Sequence, residues 1–162
     1  MRNQGVLLRG VNATSTDLLE LCFTLLDRAG IVPYYFYMCD MIPNAEHWRV
    51  AVHEAQRLQH DLMGYLPGFA TPRLVCDVPL LGKLWVHQTD GYDREKGISY
   101  WTKNYRTGIE ADDPQALTRR YEYFDPIHTL PESGQQWWRE RLRGEPGPKL
   151  FATPQEPGPP AS

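Results

Sequence analysis

Cysteine is scarce in this chain: Cys22, Cys39 and Cys76 are the only three among 162 residues. An odd number at wide spacing argues against a disulfide framework, and neither a zinc pattern nor a clustered iron–sulfur pattern is present. Each lies in an apolar run, so all three read as buried free thiols. Long apolar runs are missing too. No stretch approaches the ~20 residues of a membrane span, and MRNQGVLLRG lacks a signal peptide's apolar core and small-residue cleavage site. A net charge of −3 supplies no broad basic field for nucleic acid. The expectation is a cytoplasmic protein without a membrane or nucleic-acid partner. His53-Glu54-Ala55-Gln56-Arg57 falls short of the zinc-protease HExxH, because Arg57 takes the second histidine's place. His53 and His60 therefore read as solvent-facing helix residues.

What is present suits a folded domain. Apolar residues make up 41% of the chain and aromatics 12%, enough to build a core at this length. GVLLR (Gly5 to Arg9) reads as a strand. Thr14 to Asp17 offer N-caps, and Leu18, Leu21, Cys22, Leu25 and Leu26 follow at helical spacing to a stop at Gly30. IVPYYFYMC is a second strand, rich in β-branched and aromatic residues. Trp48, Val52, Ala55, Leu58 and Leu62 form one face of a second helix closed by Gly64, and PRLVCD is a third strand. Strand, helix, strand, helix, strand predicts parallel pairing with right-handed crossovers.

A barrel of such units needs about 250 residues, so only part of one is visible, and its first strand is expected to lack an edge partner. A bare parallel edge invites pairing with another chain, a homo-oligomer included. After Lys83 the texture changes. KLWVHQ reads as a strand, Asp90-Gly91 as a turn, and Gly97 to Glu110 as part of a hairpin whose cations and aromatics form a packed or solvated face. Asp113-Pro114 is a predicted helix start, Tyr121 to Pro126 a short strand, and Ser133 to Leu142 a short helix. From Gly144 to Ser162 nine of nineteen residues are proline or glycine, which predicts a disordered tail.

Two apolar strands end at aspartates, Asp40 and Asp77, and the second passes through Pro79 and Gly82 to Lys83. Carboxylates at the carboxyl ends of strands stand where α/β proteins build sites. A lysine amine can form a Schiff base with an aldehyde, and two carboxylates suit a distal ammonium or guanidinium. Taken alone, a lysine after a turn is more often a surface side chain, and strand-end aspartates more often cap turns.

The motifs NQGVLLRGVN (Asn3 to Asn12), PYYFYMCD (Pro33 to Asp40), EHWR (Glu46 to Arg49) and GYLPGFATPRLVCDVPLLGK (Gly64 to Lys83) stand in order. Together they resemble the C-terminal portion of the lysine 2,3-aminomutase family, radical SAM enzymes that use pyridoxal phosphate (PLP). The resemblance covers about the first half of the chain. It implies an α/β fold made of the last βα units of a partial TIM-like barrel (1–66), a PLP-lysine-bearing region with a small α+β extension (67–143), and the tail (144–162). It implies an isomerase that moves the 2-amino group of L-lysine, or second of arginine, to C3 through a PLP imine. Lys83 would be the PLP lysine, Asp40 and Asp77 would hold the substrate's side-chain cation, Gln4 would contact S-adenosylmethionine (SAM), and Tyr37 would line the cofactor pocket. Taken by themselves, Gln4 is a solvated strand start and Tyr37 a packed core residue. The family's [4Fe–4S] motif, CxxxCxxC, is not in this sequence, so the expected partner is a cluster-bearing N-terminal half, without which the chain is inactive. The lysine loop departs from the family's PGGGGK: here it is Pro79-Leu80-Leu81-Gly82-Lys83, one residue shorter. A rival from another class is a non-catalytic α/β binding or interaction module derived from such an enzyme.

Overall fold

A computed structural model describes residues 1–143, so the expected disordered tail lies outside the described residues. Over these residues the fold is mixed α/β, with two sheets and three α-helices. The first sheet comprises β1 (Arg2–Leu7), β2 (Val32–Met38), β3 (Arg73–Val78) and β4 (Gly82–Trp85), in that spatial order. β1, β2 and β3 are parallel, as the alternation of strands and helices predicts, and β4 returns antiparallel to β3. The connection between them is a tight turn in which Leu80 (φ 64°) and Gly82 (φ 94°) take left-handed conformations. β5 (Gly91–Asp93), β6 (Ile98–Trp101) and β7 (Tyr121–Phe124) form a second, antiparallel sheet. The break between the sheets falls between Trp85 and Gly91, so β3 and β4 join the sheet of the first 66 residues.

Helix α1 (Ser15–Ala29) begins where the Thr14 hydroxyl accepts from the Asp17 amide at 3.1 Å. It ends at left-handed Gly30, whose N–H bonds to the Leu25 carbonyl. Helix α2 (Val52–Met63) starts later than its apolar spacing suggests. Trp48 belongs instead to a short 3₁₀ turn (Glu46–Trp48) and is exposed. Helix α3 (Glu132–Leu142) docks on the second sheet through Trp138, whose indole N–H donates to the Lys96 carbonyl at 2.7 Å. No helix forms after Asp113-Pro114. Residues 112–118 are turns, with Asp113 accepting from the Gln115 amide at 2.8 Å and pairing with Arg119. The QALTRR that follows offers no apolar stripe to bury, so the favourable start has nothing to propagate it.

The pleat sorts the first sheet into two faces. Phe36, Met38, Leu74, Cys76 and Val78 point to one side and form the core with Leu18 and Cys22 of α1 and Ala55, Leu58 and Leu62 of α2. Trp101, Tyr121 and Tyr123 of the second sheet join this same core. Cys22, Cys39 and Cys76 are all buried and free. Burial pushes the Cys22 thiol up to about 11, and raises Cys39 and Cys76 as well.

Buried polar groups tie the two sheets together. Arg49, just before α2, donates to the Phe124 carbonyl and to the Tyr123 hydroxyl (3.2 Å), while Glu46 holds its other terminal nitrogen. Asp125 reciprocates, accepting from the Val52 amide (2.8 Å) and from the Tyr92 hydroxyl. His53 also reaches Tyr92, with its ring Nδ1 3.0 Å from the hydroxyl, so it is half-buried and bonded rather than solvent-facing as its helical position suggested. His60 is exposed, as expected.

Asp125→Ala leaves the Val52 amide and Tyr92 hydroxyl without their acceptor and is expected to cost about 2–4 kcal/mol in urea unfolding. Burial raises the Asp125 carboxyl in the folded state, so the native protein binds the proton more tightly than the unfolded chain. Stability relative to Asp125→Asn should therefore fall as pH rises from about 4 through the raised folded value. A difference that grows with pH would contradict this environment for Asp125. For the thiols, Ellman's reagent should react slowly with the native protein and release about three equivalents in guanidinium; rapid native reaction would show that the thiols are not packed as described.

Candidate functional site on the open sheet face

The other face of the first sheet carries no α-helix among the described residues. Register places Gln4 beside Tyr35, Val6 beside Tyr37, Tyr37 beside Val75, and Asp77 beside Lys83. Neighbours in register share a face, so Gln4, Tyr37, Asp77 and Lys83 all leave the sheet on this side. A parallel sheet is ordinarily covered on both faces. Here Val6 is 45% exposed, and Tyr35 and Tyr37 are half-buried.

Direct contacts join these side chains. The Tyr37 hydroxyl donates to Gln4 Oε1 at 3.1 Å, and the Lys83 ammonium lies 5.5 Å from the centre of the Tyr37 ring. Lys83 Nζ donates to Asp77 Oδ2 at 2.9 Å. That bond and the Asp77 charge raise the Lys83 pKa, with smaller support from Tyr37 and from Asp40. Asp40 stands two residues beyond the end of β2 and contributes through its field. The five residues singled out in the sequence thus gather along one face and its carboxyl edge.

Neither aspartate is buried. Asp40 is exposed and Asp77 half-exposed, and the Lys83 side chain is 56% exposed. Helices α1 and α2 and the second sheet pack on the opposite face, so among the described residues Asp40 and Asp77 keep their access to solvent. Chemically the arrangement offers one amine, two carboxylates and an aromatic face, open to a ligand.

The amine side of the site fits an aldehyde cofactor such as PLP. Lys83 is accessible beside a ring face, and a Cβ built on Gly82 would meet nothing within 4 Å. The cysteines do not fit a cluster. They are buried in the core, and no group of three or more His, Cys, Asp or Glu among the described residues could hold a metal. The loops after β1 and β2 line, with His128, an open cleft of about 690 Å³ formed by Arg9, Asn44, Glu46 and His47. Its residues were not marked as a site in the sequence. The signal would have been their positions just beyond strand ends, which becomes informative only once the strands are known to be parallel.

No helix among the described residues is long and apolar enough to cross a membrane. No protein-family model matches the chain. Among curated proteins, the L-lysine 2,3-aminomutase of Escherichia coli (strain K12) is 36% identical over 76 residues, 47% of this chain and 22% of that protein. The enzyme of that name from Clostridium subterminale is 38% identical over 77 residues, 48% of this chain and 18% of the relative. A putative L-lysine 2,3-aminomutase of Aquifex aeolicus (strain VF5) is 34% identical over 106 residues, 65% of this chain and 28% of the relative. That span is longer than the segment ending at Lys83, so part of the similarity lies beyond it. The matched segments span about a fifth to a quarter of the relatives' own length. Over about half of its length, then, this chain is similar to the L-lysine 2,3-aminomutases, consistent with a C-terminal portion of that family.

Proposed function

We propose that the chain forms the C-terminal, PLP-lysine-bearing portion of a radical SAM aminomutase that moves the 2-amino group of L-lysine, or alternatively of arginine, to C3. The observation that carries this reading is the convergence of Lys83, Asp77 and Tyr37 on one open face, with Gln4 bonded to Tyr37 and Asp40 at its carboxyl edge. In this reading the parallel strands are the last units of a partial barrel, and the open face looks into its interior. A cluster-bearing half, in the same polypeptide or another, covers that face.

Lys83 provides the amine that anchors the cofactor, and Tyr37 presents a ring face beside it. PLP, when bound, supplies a conjugated carbonyl through which an amino group can be carried. Asp40 and Asp77 hold the substrate's distal cation by charge-assisted hydrogen bonds and repel a glutamate side chain. Gln4, bonded to the Tyr37 hydroxyl, would contact SAM. The described cysteines, buried in the core, do not fit cluster ligation.

The test joins the chain to a cluster-bearing half. Covering the face would bury the carboxylates, and removing one partner of a buried charge pair costs about 3–5 kcal/mol. Asp77→Asn or Asp40→Asn should then lower kcat/KM for lysine by on the order of a hundredfold or more, at ~1.4 kcal/mol per tenfold. SAM binding should be little changed. Faster turnover of glutamate than of lysine, or full activity in both variants, would refute the assignment of the carboxylates.

A further inference from the structure

We propose that His53, Tyr92 and Asp125 form a proton relay, which joins a solvent-touching imidazole to a buried carboxyl and sets which ring nitrogen of His53 carries hydrogen. The relay stands apart from the open sheet face and does not depend on the reading of Lys83. Its members come from three elements: His53 from the first turn of α2, Tyr92 from β5, and Asp125 from the residue after β7. Tyr92 is the middle one. Its hydroxyl donates to Asp125 Oδ2, lies 3.0 Å from His53 Nδ1, and accepts from the His53 amide at 3.3 Å. The other carboxylate oxygen, Oδ1, is taken by the Val52 amide at 2.8 Å. Asp125 is only 4% exposed, so solvent does not reach its carboxyl freely. Among the described residues, Arg49 Nε is the one buried side-chain nitrogen or oxygen without a hydrogen-bond partner. His53 Nε2 makes no bond there, and so it keeps contact with solvent.

Counting hydrogens fixes the arrangement. A phenol has one hydrogen to donate and two lone pairs. With Asp125 ionised, the Tyr92 hydrogen goes to the carboxylate and one lone pair takes the His53 amide. The second lone pair needs a donor, and its neighbour at 3.0 Å is Nδ1. Neutral His53 must then hold its hydrogen on Nδ1, which leaves Nε2 as an open acceptor. A proton that arrives at Nε2 can pass inward without leaving a charge behind. The Nδ1 hydrogen moves to the Tyr92 oxygen, and the Tyr92 hydrogen moves to Asp125 Oδ2. The products are an imidazole with its hydrogen on Nε2, an unchanged phenol and a neutral carboxyl. The outer nitrogen has turned from acceptor to donor. Burial favours the neutral carboxyl, while the bonds from Tyr92 and Val52 and the Arg49 charge favour the ionised one. Arg94 lies 5.7 Å from the centre of the Tyr92 ring, and Tyr123 and Cys76 beside Asp125 keep their own protons through burial. A second proton fits poorly, because the Tyr92 hydrogen and an imidazolium Nδ1–H would point at each other. The pair therefore takes up its first proton jointly.

Side-chain NMR of the whole chain, labelled with nitrogen-15 and carbon-13, tests the relay. At about pH 8.5, two units above the ~6.5 of an ordinary imidazole, long-range proton–nitrogen correlations show which ring nitrogen carries hydrogen. In wild type it should be Nδ1, against the Nε2 preference of a free imidazole. In Asp125→Asn the side-chain oxygen stays with the Val52 amide, so the new amide nitrogen donates to Tyr92 and Tyr92 donates to Nδ1. The His53 hydrogen should then move to Nε2. Tyr92→Phe removes the middle member and should also return the hydrogen to Nε2. On lowering the pH, the wild-type His53 nitrogens and Asp125 carboxyl carbon should share the midpoint of their first step. In Tyr92→Phe they should titrate at separate midpoints. Hydrogen on Nε2 in wild type at that pH, or the same position in wild type and Tyr92→Phe, would overturn the relay. Separate first midpoints in wild type would overturn it as well. Tyr92→Phe keeps the test decisive if Asp125→Asn does not fold.

Discussion

The exchange of buried polar groups between Arg49 and Asp125 fixes how the two sheets meet. Arg49 carries a charge from the first sheet's connections to the Tyr123 hydroxyl and Phe124 carbonyl, and Asp125 returns one to the first amide of α2. A helix N-terminus leaves its first amides without intrahelical partners, and a carboxylate there satisfies one while opposing the helix dipole. In this way the second sheet completes the start of α2. It also commits the second sheet to the helix-bearing side of the first. The open face exists because this packing uses the other one.

That face explains the unusual surface of the parallel sheet. Buried on both sides, its strands would read as continuous apolar runs. Instead β2 alternates: Phe36 and Met38 are buried, while Tyr35 and Tyr37 are only partly so. Aromatic and polar side chains on the uncovered side fit a surface that meets a ligand or another protein layer, rather than a closed core.

Much of this was legible in the chain. Thr14, Asp17 and Gly30 mark α1 by local chemistry, and local chemistry survives folding. The aspartates and Lys83 were legible as strand-end residues, because strand direction in α/β proteins follows from the alternation of elements. What could not be read depends on residues far apart. The Asp125–Val52 bond joins positions 73 residues apart, and neither residue type announces its partner. The turn after β3 was legible in Pro79 and Gly82, but not its antiparallel return: Leu80 sits at φ 64°, a conformation favoured by glycine and asparagine that a leucine does not announce. Pro114 misled in the opposite direction, since a sound helix start cannot hold a helix that lacks an apolar face. The Asp77–Lys83 pair needs the hairpin register, and so it appears only with the fold.

The shortened lysine loop takes its meaning from that register. A two-stranded return through Pro79, Leu80 and Leu81 makes Lys83 the cross-strand neighbour of Asp77. An extra residue absorbed by the turn would leave this pairing intact, whereas a shift of the pairing by one reverses the face to which a side chain points. In a shifted pairing Lys83 would leave the open face and its carboxylate. The register therefore sets the charge balance of the site: two carboxylates and one ammonium leave a net single negative charge. In the proposed reading one cationic side chain restores neutrality there, whereas an anionic side chain adds to the imbalance. Selectivity for a cation would then come from the register of one hairpin as much as from the aspartates themselves.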